Sequence, residues 1–124
     1  MDPEVLVLDE PTAGLDPRST RHLTELFRQF QQQGKTLVLI AHDMDLVAEL
    51  ATHVVVLGQG RLQLCGTARQ ILTNPEFTRL SGLEAPTAVQ LIQALVARGV
   101  KAPAGLLKFT EVVDFLAATL SLDG

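Results

Sequence analysis

Four apolar residues, Val5-Leu6-Val7-Leu8, run without alternation into two adjacent carboxylates, Asp9 and Glu10, and then into Pro11. A short continuous apolar run suits a strand covered on both faces, as in a parallel sheet. Ligands of such sheets sit beyond the carboxyl ends of the strands. Asp9 and Glu10 therefore stand where a ligand would bind. Side-by-side acids at a strand tip are costly unless something uses their charge. A divalent cation and an attacking water would do so: Asp9 can hold magnesium through water, and Glu10 can orient or deprotonate the nucleophile. The same acids could instead cap the following helix or lie solvated.

Asp16-Pro17 opens the next element. Aspartate is a good N-cap and proline suits the first helical position. Leu23, Leu26, Phe27 and Phe30 share one helical face, read as core, and Arg18, Arg21 and Arg28 read as solvated surface. Gly34 closes the helix. Thr36 to Ala41 is a second buried strand, and His42 stands at its carboxyl end, on the same sheet edge as Glu10. An imidazole there can contact a terminal phosphate and hold an attacking water in line; a local hydrogen bond in a loop is the plainer alternative. His22 and His53 have no such setting, and no His, Cys or carboxylate group has zinc-ligand spacing.

The string from Val5 to Pro17 resembles the Walker B motif and D-loop of ATP-binding-cassette (ABC) ATPases. Val5 to Asp9 match the strand and its magnesium aspartate, Glu10 the catalytic glutamate, and Ala13-Gly14-Leu15-Asp16 the D-loop. Leu37-Val38-Leu39-Ile40-Ala41-His42-Asp43 matches the family's histidine loop, one helix later. The resemblance implies an α/β, partial P-loop NTPase fold, with a mostly parallel sheet flanked by helices and a small helical tail. It implies ATP and magnesium as cofactors. It makes Glu10 and His42 catalytic, and Asp9, Asp16 and His42 nucleotide-binding. Asp16 would reach toward the nucleotide site of a second ABC ATPase subunit, although the helix cap alone would explain an aspartate there.

Asp43 to Ala51 read as a helix with Leu46, Val47 and Leu50 on one face. His53 to Leu57 and Arg61 to Cys65 read as a hairpin about Gly58-Gln59-Gly60, with Cys65 a small packing residue. Thr67 caps a short helix to about Thr73. We place the end of the ATPase part there, giving 1–73 as ATPase domain and 74–124 as a helical extension. In the extension, Pro86-Thr87 start a helix ended by Gly99, Lys101 to Gly105 form a linker, and Thr110 caps a last helix to about Leu120. Leu80-Ser81-Gly82-Leu83 reads as a loop. The tail, with Gly66-Thr67, Asn74-Pro75, Gly82-Leu83 and Pro86-Thr87-Ala88-Val89, resembles that of cobalt/nickel-type energy-coupling-factor ATPases, which power uptake of a metal ion or vitamin. An extra helical pair covering apolar surface would read the same way.

The sequence contains no G-x-x-x-x-G-K-[ST] phosphate loop, glutamine loop or LSGGQ signature. The expectation is an ATPase part that is inactive alone: a fragment, a split-gene half or a truncated frame. The contrasting expectation is a catalytically silent module docking on a full-length ATPase or on transporter subunits. A net charge of −4 gives no indication of nucleic-acid binding. The lone Cys65 fits a reducing compartment, and no apolar run reaches the roughly 20 residues of a membrane span. The expected setting is cytoplasmic and peripheral to the membrane, held there by transmembrane transporter subunits and without direct insertion.

Overall fold

The computed structural model describes residues 4–121, and the side chains of residues 4–119. The sequence also suggests a turn over Met1 to Glu4 and an apolar contact from Leu120; these fall wholly or partly outside the described residues. The chain divides into two compact units, one ending at Leu50 and one beginning at Ala51.

The first unit contains strand β1 (Val5–Asp9), helix α1 (Pro17–Gln32), strand β2 (Thr36–Ile40) and helix α2 (Met44–Leu50). β1 and β2 pair in parallel, from Val5 opposite Thr36 to Asp9 opposite Ile40. Helix α1 starts where the sequence says: the Ser19 N–H donates to Asp16 Oδ1 at 2.7 Å, and Pro17 occupies the first turn. It ends at Gln33, and Gly34 follows with φ +80°, the left-handed residue that reverses the chain. Asp43 caps α2, its Oδ1 accepting from the N–H groups of Asp45 and Leu46 at 3.1 and 3.2 Å. At the other end of α2, the Gln31 side-chain amide donates to the Leu50 carbonyl at 2.7 Å, satisfying a helix-end acceptor from a neighbouring helix.

The core of this unit is Phe27, Leu46 and Leu50, with Leu8, Leu23, Leu37 and Leu39 packed against it. Each such side chain removed from water stabilises the fold by roughly 1.5–3 kcal/mol. Only one face of the strand pair is used. Burial alternates along both strands, so Leu6, Leu8, Leu37 and Leu39 are half-buried while Val5, Val7, Val38 and Ile40 are exposed. The expected covering of both faces is thus not found among the described residues. An unbroken apolar run does not say which of its two faces is packed, and here α1 and α2 lie against one. Leu26, expected in the core, is also exposed, because the stripe actually packed is Leu23, Phe27 and Phe30. Arg28 is not free surface: it pairs with Glu25 at 2.8 Å and with Glu49 at 2.9 Å.

The second unit contains β3 (His53–Gly58), β4 (Arg61–Thr67), α3 (Ala68–Leu72), α4 (Glu76–Ser81), α5 (Thr87–Ala97) and α6 (Phe109–Ser121). β3 and β4 form an antiparallel hairpin closed by Gln59 and Gly60, with φ +54° and +72°. Two positive φ values in a two-residue loop fit the twist of the flanking strands. The register shifts between Val56 and Leu57: Val56 faces Leu64 whereas Leu57 faces Leu62, so Gln63 is an extra residue in β4. Its side chain donates to the Gly58 carbonyl at 2.9 Å. Cys65 lies on the exposed face, not in the packing role expected of it.

A reciprocal capping box starts α3: the Gln70 N–H donates to Thr67 Oγ1 and the Thr67 N–H donates to Gln70 Oε1. The stretch from Leu80 to Leu83, read as a loop, includes the end of α4; Gly82, at φ +71°, is its left-handed cap. The core combines Val56, Ile71, Leu72, Phe77, Val89, Leu107 and Val112, of which Leu72 and Val112 are completely buried. Arg69 ties the linker before α6 in place. Its guanidinium donates to the Gly105 carbonyl and, in a fork, to both oxygens of Glu111 at 3.0 and 2.9 Å. Glu111 also accepts from the backbone N–H groups of Leu107 and Lys108. The Arg69 hydrogen bonds, against a smaller opposing effect of burial, hold the Glu111 carboxyl at a pKa of about 2. Among the described residues no helix is long and apolar enough to cross a membrane.

Candidate functional site

Parallel pairing places the carboxyl ends of β1 and β2 side by side, and the residues leaving those ends meet. The Glu10 N–H donates to the Ile40 carbonyl at 2.7 Å, extending the ladder one step past β1. Glu10 then turns sharply, with φ +49°. The turn closes when the Ala13 N–H donates to the Glu10 carbonyl at 3.2 Å. The Glu10 carboxylate lies against His42, Oε1 touching Nδ1 of the ring, while Oε2 is 3.4 Å from the His42 backbone N–H. The glutamate side chain is about one-third exposed, the histidine about three-quarters. Among the described residues the other ring nitrogen of His42, Nε2, has no hydrogen-bond partner.

The remaining sequence candidates sit differently. Asp9 is exposed at the end of β1, on the open face of the strand pair, and its carboxylate takes no hydrogen bond or ion pair among the described residues. A single, free, hard oxygen ligand suits magnesium, which keeps most of its shell as water or phosphate oxygen. Asp16 is occupied with capping: hydrogen bonds from Ser19 lower its carboxyl pKa. It does not touch the Glu10–His42 pair. Among the described residues no three His, Cys, Asp or Glu side chains converge on one metal position. The left-handed backbone of Glu10 was not anticipated, and the proline after it points instead to an extended residue.

A partly exposed carboxylate against an imidazole can orient a water and accept its proton; Nδ1 carries the hydrogen shared with the carboxylate, so Nε2 can donate to an anionic oxygen when the ring is the imidazolium. Among the described residues no glycine-rich loop adjoins this pair to cradle phosphates.

Comparison with known proteins agrees with the fold. A family model described as "AAA domain, putative AbiEii toxin, Type IV TA system" matches residues 1–48. The energy-coupling factor transporter ATP-binding protein EcfA2 of Latilactobacillus sakei is 48% identical over 100 residues, 80% of this chain and 34% of that protein. Its namesake in Lacticaseibacillus paracasei is 43% identical over 94% of this chain and 41% of its own length. Among solved structures, cbiO1 from Clostridium perfringens, part of the ABC transporter complex cbiONQ, superposes with TM-score 0.52 at 34% identity, covering 73% of this chain and 37% of that one. MJ1267, an ATP-binding cassette of an ABC transporter in its ADP conformation, superposes with TM-score 0.55 at 24% identity, over 63% of this chain and 32% of its own, and supports the fold alone. The chain spans about two-fifths or less of the length of these relatives. By sequence the chain is similar to part of these ABC transporter ATP-binding proteins, and its fold is part of the fold of an ABC ATPase domain.

Proposed function

We propose that this chain supplies the water-activating side of the nucleotide site in the ATP-binding subunit of an ABC-type importer. The observation that carries the reading is the Glu10–His42 contact at the ends of two adjacent parallel strands. In this reading Glu10 orients the attacking water and takes its proton at a carboxylate oxygen. His42, as the imidazolium, donates Nδ1–H to Glu10 and Nε2–H to an oxygen of the terminal phosphate. Asp9 holds magnesium through water, and a magnesium ion so held offsets the charge of the phosphate oxygens. Asp16 keeps α1 in place and faces a second ATPase subunit. Residues 1–73 form the ATPase part and 74–124 a helical extension. The names of the relatives point to an energy-coupling-factor or cobalt-type uptake system, with the chain peripheral on the cytoplasmic face of the membrane through transmembrane subunits.

Phosphate grip requires a glycine-rich loop and its lysine, and this sequence has neither. The chain alone is expected to give no turnover with magnesium and ATP. Joined in frame to the phosphate-loop portion of an EcfA2 relative, it is expected to hydrolyse ATP, with Glu10→Gln lowering the rate by about 100-fold or more. Full activity of the joined Glu10→Gln protein would sink the reading. The exposed valine face of β1 and β2 favours a second reading, a silent docking module. A joined protein that assembles with transporter subunits but never turns over would support that one.

A further inference from the structure

His42 belongs to neither a strand nor a helix. It is the middle residue of the connector 41–43 between the end of β2 and the start of α2. Hydrogen bonds secure this connector at both ends. On the strand side, the Ile40 carbonyl accepts the Glu10 N–H at 2.7 Å. On the helix side, the Asp43 carbonyl accepts the Val47 N–H at 3.2 Å. Asp43 Oδ1 also accepts from the N–H groups of Asp45 and Leu46 at 3.1 and 3.2 Å. A side-chain oxygen used in this way satisfies donors that have no partner within the helix. Among the described residues the Asp43 side chain makes no contact with the Glu10–His42 pair; its bonds run into α2.

We infer that Asp43 is a positioning residue for His42: by capping α2 it fixes the far end of the connector and so holds His42 toward Glu10. Both contacts between the two residues depend on that placement, Nδ1 of the ring against Oε1 and the backbone N–H with Oε2 at 3.4 Å. Helix α2 is seven residues long, too short to be stable by its own hydrogen bonds. Leu46 and Leu50 anchor its body in the core. Loss of the cap therefore frays the turn beside His42 and leaves the rest of the helix in place. Met44 is also buried in that turn, yet burial supplies no acceptor for the N–H groups that Asp43 satisfies. The inference rests on reading Glu10 and His42 as the water-activating pair, but its test does not use activity.

The test compares Asp43→Asn with Asp43→Ala in the full chain by NMR. Asparagine caps a helix about as well as aspartate, and alanine does not. In Asp43→Ala the amides of Asp45 and Leu46 are expected to exchange about fivefold faster, as for loss of a typical cap. The readout of positioning is the response of the His42 ring nitrogens to a second change, Glu10→Gln. In the unsubstituted chain Glu10→Gln is expected to shift both ring-nitrogen resonances. Asp43→Asn should keep that response and Asp43→Ala should lose it. Faster exchange at Asp45 and Leu46 with the His42 response intact would make Asp43 a helix cap only and overturn the inference. Loss of the response in both variants would trace it to the charge of Asp43 rather than to its cap, and would overturn the inference as well. So would the absence of a response in the unsubstituted chain, since there would be no contact to hold. If Asp43→Ala does not fold, Asp43→Asn and Asp43→Ser still decide: both can cap, so loss of the response in either counts against the inference and its retention in both supports it. Failure of Glu10→Gln to reduce ATP turnover in the joined protein would remove the functional reading while leaving this conformational result standing.

Discussion

The unit ending at Leu50 and the unit beginning at Ala51 use the same kinds of side chain to different effect. Beyond Ala51, a hairpin and four helices enclose Leu72, Phe77, Pro86 and Val112, the largest fully buried side chains among the described residues. Before Leu50, two strands and two helices bury Phe27, Leu46 and Leu50 on one side and leave Val5, Val7, Val38 and Ile40 in solvent on the other. The Glu10–His42 pair stands on the open unit, at the strand ends. Local stability follows the density of buried apolar contact, and functional groups are drawn from its low end. Here the open unit carries the candidate catalytic pair, and the described residues of the closed unit carry none.

The largest effect that would break this contrast is a cavity. Phe77→Ala in the closed unit should cost about 3–5 kcal/mol in urea unfolding, because Phe77 is 2% exposed. Val7→Ala on the open face should cost about 0.5 kcal/mol or less, as for surface positions in general. Similar losses at the two sites would mean that the open face is covered in solution.

A smaller effect concerns the ion pair that ties α6 to α3. Glu111 has a folded pKa of about 2 against an ordinary 4.5. A depressed carboxyl stabilises fully above its unfolded value and loses that contribution as pH falls through the folded one. The Arg69–Glu111 contribution should therefore be constant above about pH 4.5 and vanish toward pH 2. Glu111→Gln should flatten that acid limb and cost about 1 kcal/mol at neutral pH, discounted for the partial exposure of both partners. Hydrogen exchange should show the loosening at residues 107–112 and leave the strands of the first unit unchanged. An acid limb unaltered by the substitution would show that other carboxylates set it.

The smallest effect lies in the open unit. Arg28 pairs with Glu25 and Glu49, all with exposed side chains. Arg28→Met should change stability by about 0.5 kcal/mol or less, and salt should erase the difference. A loss several times larger would mean that α1 and α2 depend on this bridge more than on Phe27, Leu46 and Leu50.

Local chemistry made much of this legible from sequence. Asp16-Pro17 marks the start of α1 because side-chain and backbone geometry both demand it, and Thr67 with Gln70 marks α3 in the same way. The apolar runs identify β1 and β2, and the histidine one helix after the paired acids places Glu10 and His42 at one edge. Long-range packing was not legible. Valine and leucine look alike on both sides of an apolar strand, so nothing in Val5 to Leu8 says that the valines are left out. Helix α4 spans only Glu76 to Ser81, too short for a helical period to emerge. Its start is marked instead by Asn74, whose Oδ1 accepts the Glu76 N–H at 2.9 Å. Cys65 was misplaced because an extra residue upstream in its own strand changes which way the following side chains face.

That extra residue, Gln63, works as a phase shift. Side chains in a strand alternate between two faces, so counting by twos from Leu62 would put Leu62 and Leu64 on the same side. With Gln63 bulged between them, Leu62 is exposed and Leu64 is half-buried. The two leucines are written in the same frame but read in opposite ones. Losing Gln63 would not simply shorten the arm. It would invert the reading of every residue on one side of the gap, so a single deletion here carries the consequence of a whole-strand substitution.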